Sequence, residues 1–101
     1  NDADTASHVY RIAQEAVSNA IKHGKAKTIV IRLEALDRGK VLKVIDDGLG
    51  IPQPHPKGQG MGLRIMDYRA RLVGGNLEIG REPGAGTRIA CFVPDIRFSN
   101  A

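Results

Sequence analysis

Glu15, Asn19, Lys22 and His23 stand at offsets of four, seven and eight residues. On an α-helix these positions share one face, so a carboxylate, an amide and an ammonium group would point the same way. The set suits a hydrated Mg²⁺ beside a phosphate chain, because Mg²⁺ takes oxygen ligands and keeps several of its waters. An ordinary solvated helix face would show the same pattern. A second cluster, Asp46-Asp47-Gly48-Leu49-Gly50, ends a strand-like run in two carboxylates and a glycine-interrupted turn. Strand parity puts Asp46 on the side of Leu42 and Val44, which is apolar. A carboxylate facing such residues needs a hydrogen-bond donor, and an adenine amino group would serve. An Asp- and Gly-rich hairpin turn is the plainer account.

The third cluster is Gly58-Gln59-Gly60-Met61-Gly62-Leu63, just before a helical pattern. Glycines let a backbone approach phosphate oxygens, and the helix N-terminus adds free amide donors and a favourable dipole. No strand precedes these glycines in a βαβ unit, so the dinucleotide fingerprint does not fit. No Gly-Lys-Ser/Thr occurs, and the protein-kinase signature set is missing as well. The fourth cluster, Gly84-Ala85-Gly86-Thr87, reads locally as a turn that starts a strand.

These residues need elements to hold them. Asp4 or Thr5 can cap a helix running to about His23, stopped by Gly24. Val9, Ala13, Ala16, Val17 and Ala20 make its apolar face, with His8, Arg11, Glu15, Asn19 and Lys22 opposite. The spacing then predicts a hairpin: Thr28 to Leu36 with Ile29, Ile31 and Leu33 on one face, a turn at Asp37-Arg38-Gly39, and Val41 to Asp46. Leu49 to Gly62, rich in glycine and holding Pro52, Pro54 and Pro56, predicts a long loop of the kind used as a lid. A second helix runs from Met61 or Leu63 to Val73, with Leu63, Met66, Ala70 and Val73 inward. Strands at Asn76 to Gly80 and Thr87 to Val93 follow, joined by the turn 82–86. The order predicts an α/β (α+β) two-layer sandwich with a mainly antiparallel sheet. Residues 1–94 form one domain and 95–101 a polar tail.

Composition narrows the classes. The 101 residues carry a formal charge of +4 and a pI near 9.6. The bases are scattered and aromatics number only 4%, so nucleic-acid binding is not expected. A modest positive charge is what a handler of a polyanion would carry. No apolar run approaches the roughly 20 residues that span a bilayer, and residues 1–7 lack a signal-peptide pattern. A cytoplasmic domain without membrane contact is expected. Cys91, the single cysteine, lies in an alternating apolar segment and reads as a reduced core thiol.

In their order and separations, the four clusters together resemble the motifs of the gyrase/histidine-kinase ATPase superfamily. Glu15 to His23 resembles its N box, Asp46 to Gly50 its G1 box, Gly58 to Leu63 its G2 box, and Gly86-Thr87 its closing threonine motif. Within it, Tyr10 to Ala16 and Gly62 to Arg71 resemble sensor kinases of the nitrate/nitrite-sensor type. The resemblance implies a Bergerat fold, with a mainly antiparallel mixed sheet covered by helices, that binds ATP and Mg²⁺. It implies transfer of the γ-phosphoryl group to a histidine on a separate dimerisation helix, then relay to a response regulator, commonly one with a helix-turn-helix output. By the same resemblance Asp46 contacts the adenine amino group, with Thr87 in support through its hydroxyl or a water. Asn19 ligates Mg²⁺, while Lys22 and His23 approach phosphates or ribose. Gly48 and Gly50 shape the floor; Gly58, Gly60, Gly62 and Leu63 form the lid. Glu15, as catalytic residue, orients a metal-bound water or the incoming histidine. Gln59 stands where the family often has histidine. The acceptor histidine lies outside the chain; His8 is read as a contact for the helical hairpin that carries it. An anti-sigma-factor serine kinase or a non-catalytic nucleotide module of the same fold are the competing readings.

Overall fold

The computed structural model describes residues 2–50, 57–81 and 86–95, with side chains described from residue 3 and, in the second segment, from residue 62. The proline-bearing part of the predicted lid, His55, most of the turn 82–86 and the end of the tail lie outside them.

Helix α1 runs Asp2–Lys22, slightly longer at its start than the capping residues suggest. Ile12, Ala16 and Ala20 are buried along one stripe, with Val9, Ala13 and Val17 packed beside them. Small residues at 16 and 20 let the helix axis lie close to the sheet. The helix ends where His23 and Gly24 both donate to the Asn19 carbonyl, at 2.9 and 3.1 Å, and Ala26 donates to that of Ala20 at 3.0 Å. Such bonds satisfy carbonyls that the last turn would otherwise orphan. Lys25 takes the left-handed conformation needed to leave the helix, with φ at 53°.

Strands β1 (Ile29–Leu36) and β2 (Gly39–Asp46) form the predicted hairpin, in register from Ile29↔Asp46 to Leu36↔Gly39. After α2 (Lys57–Leu72) come β3 (Asn76–Arg81) and β4 (Thr87–Pro94). The sheet order is β1-β2-β4-β3. Every pairing among the described residues is antiparallel, in keeping with the mainly antiparallel sheet expected. Leu42 and Val44 of β2 and Ile89, Cys91 and Val93 of β4 face the helices. They close a core with Ile12 and Ala16 of α1 and Leu63, Met66 and Ala70 of α2. Each large side chain so buried contributes about 1.5–3 kcal/mol. Burial also pushes the Cys91 thiol up to about 11, so it stays protonated and unpaired, as expected.

Two expectations change. Ile31 and Leu33 were expected to pack inward, yet they are 55% and 60% exposed. Their parity is right, since they pair with Val44 and Leu42, whose side chains do face the helices. However, β1 is the sheet edge, where Ile29 packs against the core but Ile31 and Leu33 lie beyond it. The second change concerns Gly58, Gly60 and Gly62, which were placed in a loop. They lie in the opening turns of α2, which begins at Lys57. The first turn of a helix needs no intrahelical N–H bonds, and Leu63, Met66 and Ala70 anchor the following turns in the core. Glycine costs about 1 kcal/mol against alanine in a helix, so this end of α2 is intrinsically its weakest part.

Candidate functional site

The C-terminal half of α1, the end of β2, the start of β4 and the start of α2 enclose a cleft. Its walls are Ala16, Asn19, Ala20, His23 and Gly24 from α1 and its exit, Asp46 and Gly50 from β2 and its turn, Leu63 from α2, and Thr87 and Ile89 from β4. Small residues at 16, 20 and 24 recur every four positions, so one helix face is shallow enough to leave this space. That spacing was visible in the sequence, and only its conjunction with Asp46 shows its use. The cleft is narrow, about 30 Å³, room for a water or two.

Asp46 is 8% and Thr87 7% exposed, and these are the buried polar residues of the described chain. One more step in the Ile45↔Arg88 register sets them side by side. The Asp46 Oδ1 accepts the Gly48 N–H at 2.8 Å. Among the described residues that is the hydrogen bond found for the carboxylate, so a buried acid lines the cleft with acceptor capacity to spare. Such a group costs free energy until something donates to it. The position is fixed by close backbone contact. A Cβ on Gly86 would fall 1.8 Å from the Asp46 carbonyl oxygen, and one on Gly48 2.4 Å from that of Gly24. Gly50 turns the chain away with φ at 83°.

Asp47, next along, points to the other side and its carboxylate is exposed. Its Oδ1 accepts the N–H groups of Lys27 and Thr28 at 2.8 and 2.9 Å. Those two bonds, that of Thr28 first, hold its carboxyl below the usual 3.8. Sequence reasoning did not find this role, since a carboxylate bonding a backbone twenty positions away leaves no local signature.

The predicted helix-face set borders two neighbouring spaces. Asn19 and His23 reach the cleft. Glu15 instead borders a separate groove between α1 and α2, with Arg11, Gln14, Ser18, Ile65, Met66 and Arg69. Yet α2 passes over α1 beside both side chains. The crossing is close at Gly62, where an added Cβ would meet Glu15 Oε2 at 2.7 Å and Asn19 Nδ2 at 3.6 Å. Lys22 is exposed and borders neither space. Gly58 and Gly60 stand in the first turn of α2. His8 is half-buried, its Nδ1 accepting from Arg69 Nη1 at 3.0 Å, so its described contact is with α2.

The sequence model of the histidine kinase-, DNA gyrase B- and HSP90-like ATPases matches residues 4–97. The chain belongs to that family. Among these ATPases it is 43% identical over 93 residues to an uncharacterized sensor-like histidine kinase of Chloroflexus aurantiacus, covering 85% of this chain and 15% of that one. It is 39% identical over 87 residues to the sensor histidine kinase LiaS of Bacillus subtilis, covering 86% and 24%. The chain thus spans a quarter or less of these relatives. Its fold matches the histidine kinase domain of the Erythrobacter litoralis EL346 blue-light activated histidine kinase, with TM-score 0.76, 24% identity, and 90% and 45% of the two chains covered. It also matches the ATP-binding domain of PrrB from Mycobacterium tuberculosis, with TM-score 0.73, 24% identity, and 87% and 67% covered. Among the described residues, no helix of this ATPase domain is long and apolar enough to cross a membrane.

Proposed function

We propose that this chain is the ATP-binding catalytic domain of a two-component sensor histidine kinase, of the nitrate/nitrite-sensor type. The observation that carries the reading is Asp46, a buried carboxylate lining the cleft, with one oxygen bonded to its own turn and, among the described residues, no partner at the other. The adenine amino group supplies the missing donor, and Thr87 beside it supports the base through its hydroxyl or a bound water. Ile89, Ala16 and Ala20 give the ring an apolar seat. Because the cleft is narrow, the base enters as Leu63 and the glycine-rich start of α2 give way. That segment then serves as the lid, with Gly58, Gly60 and Gly62 offering backbone to the phosphates.

Asn19 fits Mg²⁺ by its chemistry: an amide oxygen at the cleft edge, beside the path a phosphate chain would take. Among the described residues no cluster of three or more His, Cys, Asp or Glu forms a protein cage, and Mg²⁺ usually rides on phosphates with one or two protein oxygens. The metal, when bound, neutralises phosphate charge. His23 and the mobile-armed Lys22 add positive charge at the outer end. Glu15, displaced into the α1–α2 groove, orients the incoming histidine from the flank. That histidine sits on a dimerisation helix of the same full-length protein, and the phosphoryl group passes on to a response regulator with a helix-turn-helix output. Positioning and fixed dipoles do the catalytic work in such transfers. The domain works in the cytoplasm, where ATP is supplied.

The test supplies the helical phosphoacceptor domain of the full-length protein in trans with labelled ATP. Phosphohistidine should form with Mg²⁺ present, fall strongly in Asn19→Ala, and be negligible without the added domain. Label transfer that ignores Asn19→Ala would overturn the metal assignment, and no label on the added domain would overturn the kinase reading.

A further inference from the structure

The α1–β1 loop and the turn after β2 are joined by four backbone-directed bonds. Asp47 contributes two of them, accepting from Lys27 and Thr28 with a single oxygen. The Asp47 N–H donates to the Thr28 carbonyl at 3.3 Å and the Leu49 N–H to that of Gly24 at 2.7 Å. We infer that Asp47 is a positioning residue for the nucleotide site: through Lys27 and Thr28 it locks the exit of α1 against the end of β2, and so sets how Gly24 and Asp46 sit beside each other in the cleft wall. This inference rests on the nucleotide reading above.

The geometry explains why a side chain that touches no ligand should govern binding. Gly24 and Asp46 line the same cleft, and Gly48, bonded to Asp46, lies so near the Gly24 carbonyl that no Cβ fits between them. Backbone bonds tie the α1 exit at Gly24, Ala26 and Thr28, but it has no regular secondary structure of its own. It holds Lys25 in the left-handed region, and residues 23–28 belong to no helix or strand. A charged acceptor serving two amides makes stronger bonds than a neutral one, and binding sites lose function when their supports let go by a fraction of an ångström. Asp47 is exposed and its carboxyl stays ionised at neutral pH, held down by the two amides and helped by the nearby Lys27 charge. It lies outside the cleft wall.

Three variants separate position from charge and from direct contact. Asp47→Asn keeps an oxygen at the same reach, Asp47→Glu keeps the charge but shifts it by one methylene, and Asp47→Ala removes both. ATP affinity is measured by titration, and amide exchange at Lys27 and Thr28 by NMR. Ala should weaken ATP about tenfold, a typical coupling between linked sites, and speed both amides. Asn should restore affinity and protection to within about threefold of the parent, while Glu should resemble Ala. A lower melting temperature in Ala with unchanged ATP affinity would reduce Asp47 to a structural brace and overturn the inference. Lost affinity with both amides still protected would mean direct ligand contact, and overturn it equally. A parent chain that does not bind ATP would instead sink the nucleotide reading, and this inference with it.

Discussion

Two glycines in contact with β strands offer a matched pair of perturbations. A Cβ on Gly86 would fall 1.8 Å from the Asp46 carbonyl oxygen, 2.8 Å from its carbon and 3.1 Å from the Asp47 Cα. A Cβ on Gly75 would fall 1.7 Å from the Phe92 carbonyl oxygen and 2.9 Å from its carbon. The nearest obstacles are backbone in both cases, so no side chain can swing aside. To approach ordinary carbon contact at roughly 3.5 Å, either alanine must push two strands apart by well over an ångström. Overpacking of this kind costs about 1–3 kcal/mol, and both Gly86→Ala and Gly75→Ala should lower stability by about that much. For a domain of this size, that is a fall in melting temperature of roughly 4–8 °C per kcal/mol. The two differ in what moves. Gly86 borders Asp46 and Thr87, whereas Gly75 lies at the far end of β4, beside Phe92 and Pro94. At a temperature where both variants are folded, nucleotide titration should show a large loss of affinity in Gly86→Ala and little change in Gly75→Ala. Equal affinities in the two, with equal melting temperatures, would refute the claim that the Gly86 contact holds Asp46 in place.

Lys25 sits at φ 53°, a conformation that costs a residue with a Cβ roughly 1–2 kcal/mol. Lys25→Gly should therefore raise the urea midpoint without changing its slope, and a lowered midpoint would contradict the strain. The Cys91 thiol is pushed by burial from 9.0 up to about 11. Because its folded value is raised, the neutral thiol's contribution is complete below pH 9 and is lost as pH rises toward about 11. Stability should fall across that window in the parent and not in Cys91→Ala, and thiol reagents at pH 8 should label the native chain far more slowly than the unfolded one.

Much of this was legible in the sequence because the signals were periodic. The alternation Leu42, Val44, Asp46 put a carboxylate on the buried face, and the structure finds it there. Leu63, Met66, Ala70 and Val73 likewise marked the packed side of α2. Where expectation failed, the cause was tertiary. Periodicity assigns Ile31 and Leu33 a face but cannot say that β1 ends the sheet. Glycine content argued against a helix at 57–62, yet the anchored turns that follow carry the helix back through it. Offsets of four grouped Glu15 with Asn19, and both side chains do lie against Gly62, but no local pattern showed that α2 would sit over them there. Asp47 reached a backbone that no local pattern connects to it.

The central claim is that the open oxygen of Asp46 receives the adenine amino group. ATP titration of the parent chain and of Asp46→Ala, each checked for retained fold by circular dichroism, tests it most directly. A hydrogen bond to a charged group is worth about 1.5–3 kcal/mol, so affinity should fall by about ten- to a hundredfold. An Asp46→Ala chain that binds ATP as tightly as the parent would contradict the account.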